Sequence, residues 1–147
     1  MKRVHPLAAL ALCSLPTVCA ASEAPVAYQV QNDSIPRSLT GAPGDSARGR
    51  QIVAGRDGNC LLCHSIPETG ERHMGNVAPP LSRVGARFGA GQLRLRIADP
   101  TRVNPEAAMP SYYRVQGLDS VAAPFRGKTI LTAQQLEDVV AYLMTLK

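Results

Sequence analysis

Tryptophan is absent from this chain, and only two phenylalanines and four tyrosines occur in its 147 residues. So few large rings leave little to fill a core, and a buried prosthetic group would make up part of the deficit. Runs of lysine and arginine are missing as well. A formal charge of +5 is too mild for a nucleic-acid reader, and no nucleic-acid partner is expected. Beyond the amino-terminal segment no stretch is apolar enough to span a bilayer, so no membrane anchor is expected. The length fits a single domain.

Cysteine is scarce, and two of the four lie in "MKRVHPLAALALCSLPTVCAASEA". There Lys2 and Arg3 form a basic start, Leu7 to Cys19 is short and apolar, and small residues follow from Ala20 to Ser22. This is the pattern of a cleavable export signal over residues 1–21. Leu12 before Cys13 and Val18 before Cys19 are too large for a lipoprotein site. The mature protein is then expected in the periplasm with only Cys60 and Cys63. A disulfide within Cys-x-x-Cys closes a very small loop and stabilises little, so the pair points to chemistry rather than stapling.

Residues 22–44 carry many Pro, Ser and Gly and no helical period, and read as an extended amino-terminal arm. Residues 45–147 read as the domain. Asp45 or Ser46 caps a short helix through Ala54, ended by Gly55. Gly58 to Gly85 reads as loop. In "GAGQLRLRIADP" the alternation of Leu93, Leu95 and Ile97 suits a strand, while Leu93, Ile97 and Ala98 suit a helix face. Helix is preferred over Gln92 to Ala98 because no second strand follows to pair with it. The last segment is the clearest. Thr132 and Gln135 have capping-box spacing, and Leu136, Val139, Val140 and Leu143 recur on one helical face.

The chemistry concentrates in "GNCLLCHS". A thioredoxin-type dithiol needs a strand before Cys60, and none is present. A zinc site needs four ligands, and Cys63 and His64 are adjacent and do not easily converge on one ion. Cys-x-x-Cys-His is the attachment signature of one covalent haem c. Cys60 and Cys63, one turn apart, reach the two vinyl groups as thioethers, and His64 then turns its imidazole to the iron as an axial ligand. His73, Met74, Met109 and Met144 are the candidates for the sixth position. Met144 fits a packed helix face, and His73 and Met74 follow His64 too closely to leave the proximal side. Met109 is preferred. Pro110 holds it in extended backbone, it lies beyond the middle helix, and a thioether is a known partner of a histidine-ligated haem iron.

With these motifs, "NPEAAMPSYYRVQGL" and "LTAQQLEDVVAYLMTLK" resemble SoxX, the monohaem cytochrome c subunit of the SoxAX complex of thiosulfate oxidation. The resemblance covers about Asp45 to Lys147. It implies an all-α class I cytochrome c fold, haem held by Cys60 and Cys63, and His64 and Met109 as axial ligands. It also implies that the carbonyl of Pro79 accepts from the second ring nitrogen of His64. "GNVAPPL" departs from the family pattern, with Ala78 where glycine is usual. The implied function is electron transfer in a heterodimer with a SoxA-like cytochrome that couples thiosulfate to a carrier thiol. The catalytic thiol is then expected on the partner, no catalytic residue on this chain, and a downstream cytochrome as acceptor. A free periplasmic electron shuttle is the alternative. The stretch after Met109, with Tyr112, Tyr113, Phe125, Arg114, Arg126 and Lys128, is expected to cover the haem in part and, with the arm, to dock the partner.

Overall fold

A computed structural model describes residues 24–147; the expected export signal, with Cys13 and Cys19, lies outside the described residues. Among the described residues four α-helices appear: α1 (Ser46–Ala54), α2 (Val84–Arg87), α3 (Ala90–Ala98) and α4 (Ala133–Leu143). Short 3-10 turns lie between them at Cys60–Leu62, Pro67–Thr69, Pro100–Arg102 and Ala123–Phe125. No strand occurs among the described residues, only one bridge between Gln31 and Ser34. No described helix is long and apolar enough to cross a membrane. The fold is the all-α one expected.

Asp45 starts α1 by accepting from the amides of Ala47 and Arg48 at 2.8 and 2.9 Å, which satisfies two donors that a helix start leaves free. Thr132 and Gln135 form the capping box of α4, with bonds of 2.8 and 3.2 Å. The apolar stripe Leu136, Val139, Val140 and Leu143 is buried, and α1 packs across it. The crossing is close because α1 presents Gly49. A Cβ there would sit 1.9 Å from the backbone oxygen of Asp138.

Helix α3 begins two residues before the expected start. The alternation of Leu93, Leu95 and Ile97 was ambiguous for a physical reason: all three are buried. The helix is covered on more than one side, by α4 and by residues 24–44. Ile35 is 1% exposed; its amide donates to Gly91 O at 3.0 Å, and its carbonyl accepts from Arg94 at 2.6 Å. Arg94 forks onto Glu137 of α4 at 2.7 and 2.9 Å. Glu137 also accepts the amide of Leu39 at 2.8 Å. The arm is therefore tied to its own domain through a buried ion pair.

The loop expected over Gly58 to Gly85 ends earlier, in the single turn of α2. Arg83 enters it with a left-handed φ of 58°. Gly85 donates to Leu146 O at 2.9 Å and accepts from Lys147 Nζ at 2.8 Å, so α2 holds the carboxyl-terminal end.

Candidate haem-binding site

Helix α1 ends at Gly55, and the chain turns back at Asn59, whose left-handed φ of 48° opens the 3-10 turn Cys60–Leu62. Cys63 and His64 both donate their amides to Cys60 O, at 3.2 and 3.0 Å. This tight turn brings Cys60, Cys63 and His64 together in the order the sequence suggests. Both cysteines are free thiols. Burial, opposed by hydrogen bonding that includes Tyr112, pushes the Cys60 thiol up to about 11. A thiol of that kind is the opposite of the low-pKa thiolate of a dithiol redox catalyst. Among the described residues no group of three or more His, Cys, Asp or Glu could hold a metal ion.

The segment after His64 returns along the motif. Gly75 N donates to Leu61 O at 2.7 Å and Ala78 N to Cys63 O at 3.0 Å. The return brings the carbonyl of Pro79 to 2.7 Å from His64 Nδ1. A carbonyl only accepts, so Nδ1 is the donor in this bond and Nε2 is the nitrogen turned away from it. Ala78 is not among the residues with positive φ, so the turn needs no glycine there. His73 is exposed. The sulfur of Met74 lies 3.1 Å from the amide of Ile66, which donates to it; this engages Met74 within its own loop. Met144 ends α4, half-buried against the core.

Met109 lies on the far side of α3 in sequence, half-buried and packed against the same core as Cys60 and Leu61. Three residues later the Tyr112 hydroxyl donates to Gly58 O, just before the motif. Burial, with the neighbouring Cys60 and Cys63, pushes the Tyr112 hydroxyl up. Of the aromatics expected in part to cover the haem and in part to dock a partner, Tyr112 and Tyr113 are buried in the domain. Phe125 is 42% exposed, and Arg126 and Lys128 are exposed beside it. Sequence reasoning did not find the bridge from Tyr112 to Gly58 or the hydrogen bonds around Asp99. The Tyr112 bridge and the bonds of Asp99 to Ser111 and Arg114 leave no local signal, because they join residues far apart in the chain.

The helices and the Cys-x-x-Cys-His turn define a c-type cytochrome, and a model of the cytochrome c family matches residues 46–147. The chain belongs to the cytochrome c family. Among solved structures it is similar to a chain in the crystal structure of SoxXA from P. pantotrophus. Identity is 37% and the TM-score 0.77, over 86% of this chain and 99% of that one. That likeness and the family match identify a SoxX-type cytochrome. A weaker likeness is to the c-type cytochrome SorU from Sinorhizobium meliloti, at 24% identity and TM-score 0.45, over 68% of this chain and 87% of that one. No curated protein matches.

Cytochromes c carry covalently bound haem c, and the residues present fit it. Two free thiols stand one turn apart. A histidine beside them has its Nδ1 engaged by the Pro79 carbonyl, which leaves Nε2 as the nitrogen free to face an iron.

Proposed function

We propose that this chain is the haem c electron-transfer subunit of a periplasmic heterodimer that couples thiosulfate oxidatively to a sulfur-carrier thiol. Cys60 and Cys63 would form the two thioethers, and His64 Nε2 and the Met109 sulfur the axial bonds. The observation that carries the ligation is the contact of 2.7 Å between His64 Nδ1 and Pro79 O. It orients the ring, fixes its tautomer and raises the basicity of the remaining nitrogen. Haem c, when bound, supplies a one-electron redox centre. Joining a thiol sulfur to thiosulfate releases two electrons and the thiol proton. This chain would receive those electrons singly and pass each to a downstream cytochrome.

The heterodimer rests on the resemblance to SoxX and on the likeness to the SoxXA structure. A free periplasmic shuttle is the second reading. It is favoured by the burial of Tyr112 and Tyr113 and by the docking of the arm on its own domain. The two separate in one experiment. The haem-loaded chain is mixed with a SoxA-like cytochrome, its carrier protein and thiosulfate, and reduction is followed by absorbance. The heterodimer reading expects co-elution on sizing and reduction that depends on the partner. Separate elution, or rapid reduction by thiosulfate alone, would favour the shuttle.

A further inference from the structure

The chain between α3 and α4 leaves the helix at Asp99 and comes back to it. Tyr112 N donates to Ile97 O and Tyr113 N to Ala98 O, both at 3.1 Å. Residues 99–111 are thereby closed into a loop with its neck at the end of α3. Inside that neck lies the carboxylate of Asp99, 4% exposed. It accepts from Thr101 Oγ1 at 2.7 Å on the outgoing limb and from Ser111 Oγ at 3.2 Å on the returning limb. Arg114 Nη1 approaches both its oxygens, at 3.3 and 3.4 Å, and donates to Thr101 Oγ1 at 2.9 Å. A buried carboxylate is costly unless it is paired and hydrogen-bonded, and here both limbs of one loop and a guanidinium satisfy it.

We propose that Asp99 is a positioning residue for the iron's sixth ligand, acting through Ser111 to hold Met109 in place. The proposal rests on the reading of Met109 as that ligand. Only Pro110 separates Met109 from Ser111, and its ring fixes φ. An anchor at Ser111 therefore reaches Met109 across one stiff residue. The next residue, Tyr112, is pinned to Gly58 beside the haem motif. Met109 is thus suspended from a segment fixed at two points, one toward α3 and one toward the Cys-x-x-Cys-His turn. A thioether binds iron weakly, so its hold depends on where the chain keeps the sulfur. Loosening the Ser111 anchor frees that sulfur, whereas loosening the outgoing limb does not.

Three variants of the haem-loaded protein test this: Ser111→Ala, Asp99→Asn and Thr101→Val. Imidazole is titrated into each in the oxidised form, and the weak red-end band of iron–sulfur bonding is followed with the melting temperature. Ser111→Ala should bind imidazole about fivefold more tightly, the worth of one ordinary hydrogen bond, and show a weaker band. Asp99→Asn, which keeps an acceptor oxygen for Ser111 but loses the charge, should shift both in the same direction by less. Thr101→Val loses the shorter bond to the same carboxylate. It should lower the melting temperature and leave imidazole affinity unchanged. If Thr101→Val raises imidazole affinity as much as Ser111→Ala, or if all variants lose stability alone, Asp99 is only a structural clamp and the proposal is overturned. Ser111→Ala carries the test alone if Asp99→Asn does not load haem. A Met109→Ala protein that keeps the red-end band would instead overturn the ligand assignment itself.

Discussion

One carbonyl decides which nitrogen of His64 can face an iron. Pro79 O holds Nδ1 as the donor, and the ring can then offer only Nε2. Met109, proposed as the sixth ligand, can be tested by truncation. Met109→Ala should leave haem attached, abolish the red-end band in the oxidised protein and lower the reduction potential, because methionine–histidine ligation raises it. Met144→Leu should leave the spectrum unchanged, since Met144 packs against the core at the end of α4. Cys60, Cys63 and His64 stood out as candidates in the sequence because attachment chemistry requires cysteines and histidine at fixed spacing, and the structure brings them together in one turn. Asp99 and the anchor of Tyr112 did not, because their partners lie 12 and 54 residues away in the chain. A second residue-scale prediction concerns Asp138. Burial alone would raise its carboxyl, but Arg48, the amide of Asp45 and Gln134 outweigh that and hold it below the usual range. A depressed folded-state value contributes stability that is present above the unfolded value and lost as pH falls through the folded one. Asp138→Asn should therefore melt lower than the parent at neutral pH. The gap should begin to narrow at about pH 4, where the unfolded carboxyl takes up its proton, and close as pH falls through the lower folded value. Thermal melts at neutral and acid pH check this, and a gap that widens in acid would contradict it.

At the scale of elements, the starts of the two outer helices and the end of α1 were readable to within a residue, while the end of α4 at Leu143 was not marked. Asp45, Gly55, Thr132 and Gln135 are local signals whose partners lie within three or four positions. Helix α3 was harder to read because burial on several sides removes the alternation of polar and apolar faces. Helix α2 escaped notice because four residues carry too little periodicity to register. What the sequence could not show is why α1 and α4 approach so closely. Gly49 leaves a gap into which the Asp138 backbone fits, and a Cβ would overlap its carbonyl oxygen. The obstacle is backbone, so it cannot swing aside like a side chain. Gly49→Ala should destabilise the haem-loaded protein by about 1–3 kcal/mol or more, the range for overpacked cores. Ala gains some helix propensity over Gly, roughly 1 kcal/mol, and that gain is too small to offset the overlap. Chemical denaturation measures the difference, and an unchanged midpoint would mean that the helices can separate at little cost.

At the scale of the molecule, residues 24–44 read in the sequence only as an extended arm, because Pro, Gly and Ser leave no period to read. Their placement depends on contacts that no local pattern announces. Ile35 and Leu39 enter the core, and the backbone of the arm completes the hydrogen bonding of the Arg94–Glu137 pair. That pair is buried, so each member relies on the other and on the arm. Glu137→Gln should leave the Arg94 charge without its counterion and cost about 3–5 kcal/mol, as breaking buried pairs does. Deleting residues 24–44 should act on the same centre from the other side. It removes the amide of Leu39 from Glu137 and the carbonyl of Ile35 from Arg94, and it uncovers α3. If the arm served only to dock a partner, its deletion would weaken assembly and leave the isolated protein as stable as before. The structure leads to the opposite expectation for the isolated chain. The truncated protein, loaded with haem, should melt well below the parent while the red-end band persists in the cold, because the arm makes none of the contacts described around Cys60, His64 or Met109. Melting curves of the two proteins, each alone and each with a SoxA-like cytochrome, separate the cases. Equal stability alone with lost assembly would restore the arm to a docking role. A large loss alone would show that the arm is part of the fold.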